Sequence, residues 1–465
     1  MKKFSFLSLL VMLLTIGFSS CSSITGEDEL TNYLPADAPL VMKLDCKKLF
    51  EASDVKIDGD KVELPAYMKD MFKGDNAEML AKINSKIDLE KIYAAKCEGE
   101  SFFMLVRCTD YKGLCAMLDE EDMTKSSEGD YVVYEMGNRS ALGIYKEKFV
   151  YLLPEYKAIN DFKTLVENIR KNPLAKYDAL ADAVSTSDAV SFAMNYEAYF
   201  NALPARELAL IGGVPDYVKG KYMGANINFD GNKMLFDGGM GNIDGSPFKP
   251  MATIDDINIA LLSYVPEDFN IIVAAGKPNL IDPDYYDQLA KNMGQASGLM
   301  AGLIPYFKAV DGSTMAAFRV SPEIAAGFNP EYFDVMLMAH MPMEKIREAV
   351  SNLMTFAGMY GMPSVEVSED MYMINFQGVS VYFGAADGYL AISTVPVSAT
   401  HSSELTKYFV NKKSAAVVDG SCLKGMLPFY PFAVMQSNDA MSFKADVTLE
   451  GTNEKFIPAL MQLMK

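Results

Sequence analysis

The sequence predicts an α+β fold made of two tandem homologous repeats, each a largely antiparallel sheet with helices packed on one face. Three patterns predict it. Apolar residues alternate with polar ones over short runs, the period of strands with one buried face. Short polar turns such as Lys146-Glu147-Lys148 and Ala386-Asp387-Gly388 join consecutive runs, as hairpins require. Blocks of the first half also recur, in the same order, in the second.

The repeat is read block by block. Leu34-Pro35-Ala36-Asp37-Ala38-Pro39 with Leu40-Val41-Met42 matches Val265-Pro266-Glu267-Asp268-Phe269-Asn270 with Ile271-Ile272-Val273. Phe102 to Val106 matches Asp334 to Met338. Tyr131, Val133, Gly137, Gly143 and Phe149 match Tyr372, Ile374, Gly378, Gly384 and Leu390. Leu203-Pro204 matches Leu427-Pro428, and the hairpin at Asp230-Gly231-Asn232 matches Glu450-Gly451-Thr452.

In each repeat a Pro-Asp turn starts a strand (40–45; 270–275) that feeds a short helix, and an amphipathic helical region follows (65–84; 283–305). A strand then leads into a helix (101–107 and 110–119; 333–340 and 342–357). A three-strand meander follows (131–136, 140–145, 148–153; 371–377, 379–385, 388–393). A helical stretch (156–171; 402–409) precedes a further strand (188–195; 414–419) and a closing hairpin. Gly238 to Pro250 reads as the linker. The domains are therefore a signal peptide at 1–20, an acidic tether at 21–32, and repeats at 33–250 and 256–465.

Composition excludes several functions. The chain has 465 residues and a formal charge of −19, so it repels nucleic-acid phosphates. Its 2 histidines leave almost no imidazole for catalysis or for multi-histidine metal sites. Half of the residues are apolar, enough for a packed core.

The first residues read as an address. Lys2 and Lys3 precede an apolar run from Phe4 to Phe18, shorter than a membrane span and of signal-peptide length. The run ends Phe18-Ser19-Ser20-Cys21, which resembles a bacterial lipobox. That resemblance implies cleavage before Cys21 and acylation of Cys21, the expected lipid attachment site. Several acyl chains anchor a protein stably, at about 0.8 kcal/mol per buried CH₂. An ordinary secretory signal with a chance cysteine is the plainer alternative. Ser22 after the cysteine implies outer-membrane sorting, and Glu27-Asp28-Glu29 resembles a surface-export signal. No later run reaches about 18 apolar residues, so lipid alone is expected to tether the body.

The remaining cysteines are Cys46, Cys97, Cys108, Cys115 and Cys422, an odd number with no Cys-x-x-Cys pair. Buried free thiols are expected. A Cys108–Cys115 or Cys97–Cys108 disulfide is the alternative in an oxidising compartment.

The lipobox, the Leu34-Pro35-Ala36-Asp37-Ala38 opening and the two-fold repetition over the whole chain together resemble a family. It is that of the Bacteroidota lipoproteins catalogued as the domain of unknown function numbered 4836. The resemblance implies an envelope location. It carries over no activity, cofactor or site except Cys21.

Candidate chemistry is sparse. Met336, Met338 and His340 fall on one face of a strand, and two thioethers with an imidazole suit Cu(I). Core packing is the competing explanation in a chain with 32 methionines. His401 lies in a polar turn without a nucleophile elbow, so a Ser-His-Asp triad is not expected. Ser53 and Lys56 have Ser-x-x-Lys spacing but lack a Lys-Thr-Gly strand. Gly213 to Lys221 imitates a phosphate loop and Asp54 to Pro65 an EF-hand, each with wrong residues at key positions. Acid groups at Asp255-Asp256 and Asp282/Asp284/Asp287 are expected at helix starts or in solvent. Phe429-Tyr430-Pro431-Phe432 and Tyr285-Tyr286 are groove candidates that also fit core packing.

The expectation is thus a non-enzymatic binding or scaffolding lipoprotein of the outer membrane, on its periplasmic face or the cell surface. No cofactor is expected. The implied partners are the membrane, through the lipid, and an envelope protein or glycan held between the repeats. The alternatives are a carboxylate-dependent, glycosidase-like hydrolase in that cleft and a Cu(I)-handling protein.

Overall fold

The structure is a computed structural model. It describes residues 29–58, 61–69, 82–96, 102–121, 123–137, 140–153, 158–210, 216–250, 252–280, 286, 298–323, 332–376, 378–399, 404–439 and 441–463. The fold is α+β with extensive antiparallel sheet. The chain forms two compact units, one of residues 1–248 with 453–465, the other of residues 249–452.

The sheet strands of the first unit are β1 (Leu40–Leu44), β2 (Ile87–Lys96), β3 (Phe102–Cys108), β4 (Thr124–Glu128) and β5 (Tyr131–Gly137). They continue as β6 (Ser140–Tyr145), β7 (Phe149–Leu153), β8 (Val190–Asn195), β9 (Lys221–Asp230) and β10 (Lys233–Asn242). Their order is β4-β5-β6-β7-β3-β2-β1-β8-β9-β10, antiparallel at every step. β6 and β7 are buried along their whole lengths, because both faces of the sheet are covered.

On one face Ile92, Ala94, Met104, Leu142 and Leu152 pack with Leu49 and Phe50 of helix α1 (Cys46–Ala52) and with Leu114 and Leu118 of α2 (Tyr111–Glu120). On the other, Tyr93, Leu105, Val133 and Tyr151 pack with Phe162, Val166 and Ile169 of α3 (Ile159–Lys171) and with Leu180 and Val184 of α4 (Asp178–Val184). The sequence led us to expect helices on one face only; in this unit they cover both. Strand residues alternate between two apolar clusters, so each face needs a helical cover. The C-terminal helix Phe456–Leu463 also belongs here: the Phe456 ring lies 6.0 Å from Phe229, and Lys455 Nζ pairs with Asp54 at 2.7 Å.

Gly238 to Asn242, expected as linker, is the end of β10 and pairs with β9. The glycine serves close approach rather than flexibility. A Cβ at Gly241 would sit 2.6 Å from the Tyr222 ring.

The second unit contains β11 (Ile271–Ala275), β12 (Thr314–Val320), β13 (Phe333–His340), β14 (Val365–Ser368) and β15 (Met371–Phe376). It closes with β16 (Val379–Ala386), β17 (Tyr389–Ser393), β18 (Ser414–Asp419), β19 (Tyr430–Ser437) and β20 (Ser442–Glu450). Their order is β14-β15-β16-β17-β13-β12-β11-β18-β19-β20, again antiparallel. One face packs Ile272, Ala274, Met315, Met336 and Met338 beneath Leu261, Leu262 and Phe409. The other receives Ile346 and Val350 of a long helix, Met343–Met359. The helical stretch expected at 402–409 is a short 3₁₀ turn, Glu404–Tyr408.

Candidate functional site

The opening motif folds into a stitched turn. Leu34, Ala36 and Ala38 point into the core, and Asp37 between them is exposed. Ala36 N donates to Asn172 O at 3.1 Å, and Leu174 N donates to Leu34 O at 2.7 Å. The turn is thereby fastened to the end of α3. On its other side Asn195 N donates to Pro39 O at 3.1 Å. The Asn195 side chain then does two jobs. Its Oδ1 accepts from Ala198 N at 3.1 Å, capping α5 (Tyr196–Asn201), and its Nδ2 donates to Ala36 O at 3.4 Å.

Between these three elements lies a cleft of about 550 Å³. Its polar lining is Asp37, Asn168, Asn172, Asn195, Glu197 and Asn201. Pro35, Ala38, Pro39, Leu165 and Ile169 supply its apolar wall. Some polar groups are already committed. Asn168 Oδ1 accepts from Lys171 Nζ at 3.3 Å, and Glu197 Oε2 accepts from Gly220 N at 3.1 Å. Asn201 and Asp37 stand exposed at the rim. Carboxamides both donate and accept, so such a lining matches hydroxyl and amide groups, while the prolines and aliphatic side chains match a flat apolar patch.

A second polar cluster lies on the covered face of the same sheet. Lys43, Ser191, Asn226 and Asp237 stand in register across β1, β8, β9 and β10. Lys43 is buried and donates to the carbonyl oxygens of Thr186 and Asp188. The Thr186 and Ser191 hydroxyls are hydrogen-bonded, and Asn228 Nδ2 donates to Asp188 Oδ1 at 3.3 Å. Asp188 is 1 % exposed, and its Oδ2 has no hydrogen-bond partner among the described residues. Burial raises the pKa of Asp188 and lowers that of Lys43. This cluster holds the chain after α4 against the sheet. Its residues are spread along the sequence, so only the strand register brings them together.

The residues proposed for copper are separated by environment. Met336 and Met338, 0 % and 2 % exposed, lie inside the apolar cluster. His340 is half-exposed at the strand end, its Nδ1 2.6 Å from Asp311 Oδ1 and its ring edge-on to Tyr389 at 5.1 Å. No group of three or more His, Cys, Asp or Glu side chains suited to a metal occurs among the described residues. Ser53 is buried and Lys56 lies on an exposed hairpin, so their spacing assembles no nucleophile site. Asp255 and Asp256 each engage a neighbour, Asn279 and Lys413. Phe429 is buried and Phe432 packs on Tyr408, as core residues do.

Cys46, Cys108, Cys115 and Cys422 are free thiols, so Cys108 and Cys115 form no disulfide with each other. Residues 1–20, expected as a signal peptide, and Cys21, Cys97, His401, Asp282, Asp284, Asp287, Tyr285 and residues 213–215 lie outside the described residues. No helix among the described residues is long and apolar enough to cross a membrane.

No family model matches the chain, and no curated protein matches it. One similar solved chain, described as "Structure of crystal form I of TP0453", has 11% sequence identity and a TM-score of 0.29. The match covers 47% of this chain and 80% of that one. Likeness of that degree carries no argument about function.

Proposed function

We propose that the chain is a lipid-anchored envelope protein that binds a hydroxyl- and amide-bearing ligand, a glycan or a peptide, in the cleft between the opening turn, α3 and α5. The carboxamide-rich lining of a 550 Å³ cleft carries this reading. The anchor is acylated Cys21 at the outer membrane, and the lipobox supports it. The resemblance to the Bacteroidota lipoproteins, which rests on the lipobox, the Leu34–Ala38 opening and the internal repetition, supports the same location.

The test is an array of neutral and N-acetylated oligosaccharides and of polar peptides, probed with the full chain. Any binder is then titrated against Asn168→Ala and Asn201→Ala. Loss of affinity by about tenfold in either variant supports the cleft, at about 1.4 kcal/mol for a lost hydrogen bond. Unchanged affinity in both sinks it. Mass spectrometry of the N-terminal peptide tests the anchor separately.

A hydrolase is the second reading, because Asp37 and Glu197 line the same cleft. It requires glycoside turnover that disappears in Asp37→Asn and Glu197→Gln.

We also infer that the two units descend from one duplicated repeat. Their ten-strand orders correspond position by position. Asn195 N donates to Pro39 O and Asn195 caps the next helix; likewise Asp419 N donates to Asn270 O and Asp419 caps a 3₁₀ turn. Superposition of the two ten-strand units tests this, and failure of their strands and connecting helices to overlay contradicts it.

A further inference from the structure

We propose that the polar layer across β8, β9 and β10 binds one alkali metal cation, held by Asp188 together with Thr186, Asn226 and Asp237. A buried atom without a partner carries the inference. Asp188 is 1 % exposed, and its Oδ2 meets no hydrogen-bond donor among the described residues. Leaving a buried carboxylate oxygen in that state is costly, so such an atom points to a bound water or ion.

The surrounding side chains supply what an ion needs. Asn228 Nδ2 donates to Asp188 Oδ1 at 3.3 Å and fixes the carboxylate, with Oδ2 as its open atom. Lys43 Nζ is engaged by the carbonyl oxygens of Thr186 and Asp188, and Lys48 Nζ by that of Ser187. Thr186 Oγ1 lies 3.5 Å from Asn226 Oδ1, and Asn226 Nδ2 lies 3.5 Å from Asp237 Oδ1. Both contacts are at the long limit of a hydrogen bond, so neither closes the layer. Carboxylate, carboxamide and hydroxyl oxygens are hard donors, which suit hard cations rather than soft ones. Asn226, Asn228 and Asp237 are half-buried, which gives an ion a way in from solvent.

Charge sets the valence. Asp45, Asp188 and Asp237 face the ammonium groups of Lys43 and Lys48. Farther out, Lys47 and Lys91 are answered by Asp88 and Glu90. One negative charge is left over at the layer. A monovalent cation balances it, whereas a divalent one would bury an excess positive charge. This inference goes beyond the cleft and does not depend on it.

The experiment melts the full chain in sodium chloride and in choline chloride at the same ionic strength, so that general screening of the acidic surface cancels. It is run at pH 8, away from the acid range in which a proton competes for Asp188. Sodium should raise the Tm by about 3–5 °C over choline when its concentration is about ten times the dissociation constant. Asp188→Asn keeps the shape and should abolish that difference. Where Asp188→Asn gives no cooperative melt, Asp237→Asn decides in the same way. Equal melting of the wild type in the two salts overturns the proposal and leaves a water at Asp188. A sodium increment retained by both variants also overturns it.

Discussion

Lys43 Nζ donates to the main-chain oxygen of Asp188 at 3.0 Å, although the two residues lie far apart in the chain. The same ammonium also donates to Thr186 O at 2.7 Å. One buried cation thus gathers the carbonyls that follow α4. Lys43→Met keeps the stem but leaves both oxygens without their donor. We expect a loss of about 1–3 kcal/mol, measured by urea unfolding.

The same pair makes stability depend on pH. Burial holds the Asp188 carboxyl above its ordinary value, against the opposing Lys48 and Lys43 charges. Between the unfolded and the folded value, the native state keeps a proton that the unfolded chain has lost. Stability should therefore fall as pH rises through that window, from about pH 4 upward. Lys43 behaves in the opposite sense, because its folded value is lowered: stability rises with pH as the window below 10.5 is crossed. Asp188→Asn should flatten the acid-side slope. A slope unchanged in that variant contradicts the assignment.

Gly143 and Gly384 are required for different reasons. A Cβ at Gly143 would lie 2.7 Å from the Phe162 ring of α3. At Gly384 it would overlap the Asp370 carbonyl oxygen. A ring can shift, but a paired backbone cannot. Gly143→Ala should cost about 1–3 kcal/mol and be relieved by Phe162→Leu. Gly384→Ala should cost more, and no trimmed side chain should rescue it.

Most strands were legible because alternation and hairpin turns are local. β13 and β18 fall on the residues expected for them. β4, Thr-Lys-Ser-Ser-Glu, was invisible because it is an exposed sheet-edge strand of the first unit without an apolar period. The opening motif was legible as a turn. The cleft was not, because Asn168, Asn195 and Asn201 meet only after α3 folds back onto the sheet.

Thiol reactivity should follow burial. The Cys46 thiol is pushed up to about 12 and the Cys108 thiol to about 11, both chiefly by burial. Cys115 and Cys422 are only half-buried. Iodoacetamide on the native protein, read by peptide mass spectrometry, should label Cys115 and Cys422 first and leave Cys46 intact until unfolding. Early Cys46 labelling contradicts the packing around α1.

The β6–β7 turn holds a stabilising substitution. Lys146 and Glu147 have φ of 52° and 56°, left-handed positions without a glycine. The β16–β17 turn of the second unit uses Asp387 and Gly388, at φ 46° and 84°. Glu147→Gly removes a Cβ penalty of about 1–2 kcal/mol and adds unfolded-chain entropy of about 0.5–1 kcal/mol. A net gain of about 0.5–1 kcal/mol should appear as a raised Tm.

The burial of the Met336 and Met338 sulfurs argues against copper handling. Met336 and Met338 are enclosed by Ile272, Ala274, Met315 and Ala391, so neither thioether can reach an ion without opening the core. His340 is held at Nδ1 by Asp311. Met336→Leu/Met338→Leu nearly conserves volume and should cost less than about 1.5 kcal/mol per site. The same variant should leave competition for Cu(I) against a bicinchoninate indicator unchanged. His340→Gln breaks only a half-exposed pair and should cost about 1 kcal/mol or less. Cu(I) uptake by the wild type that both variants abolish would show that this end of β13 opens, contrary to its packing.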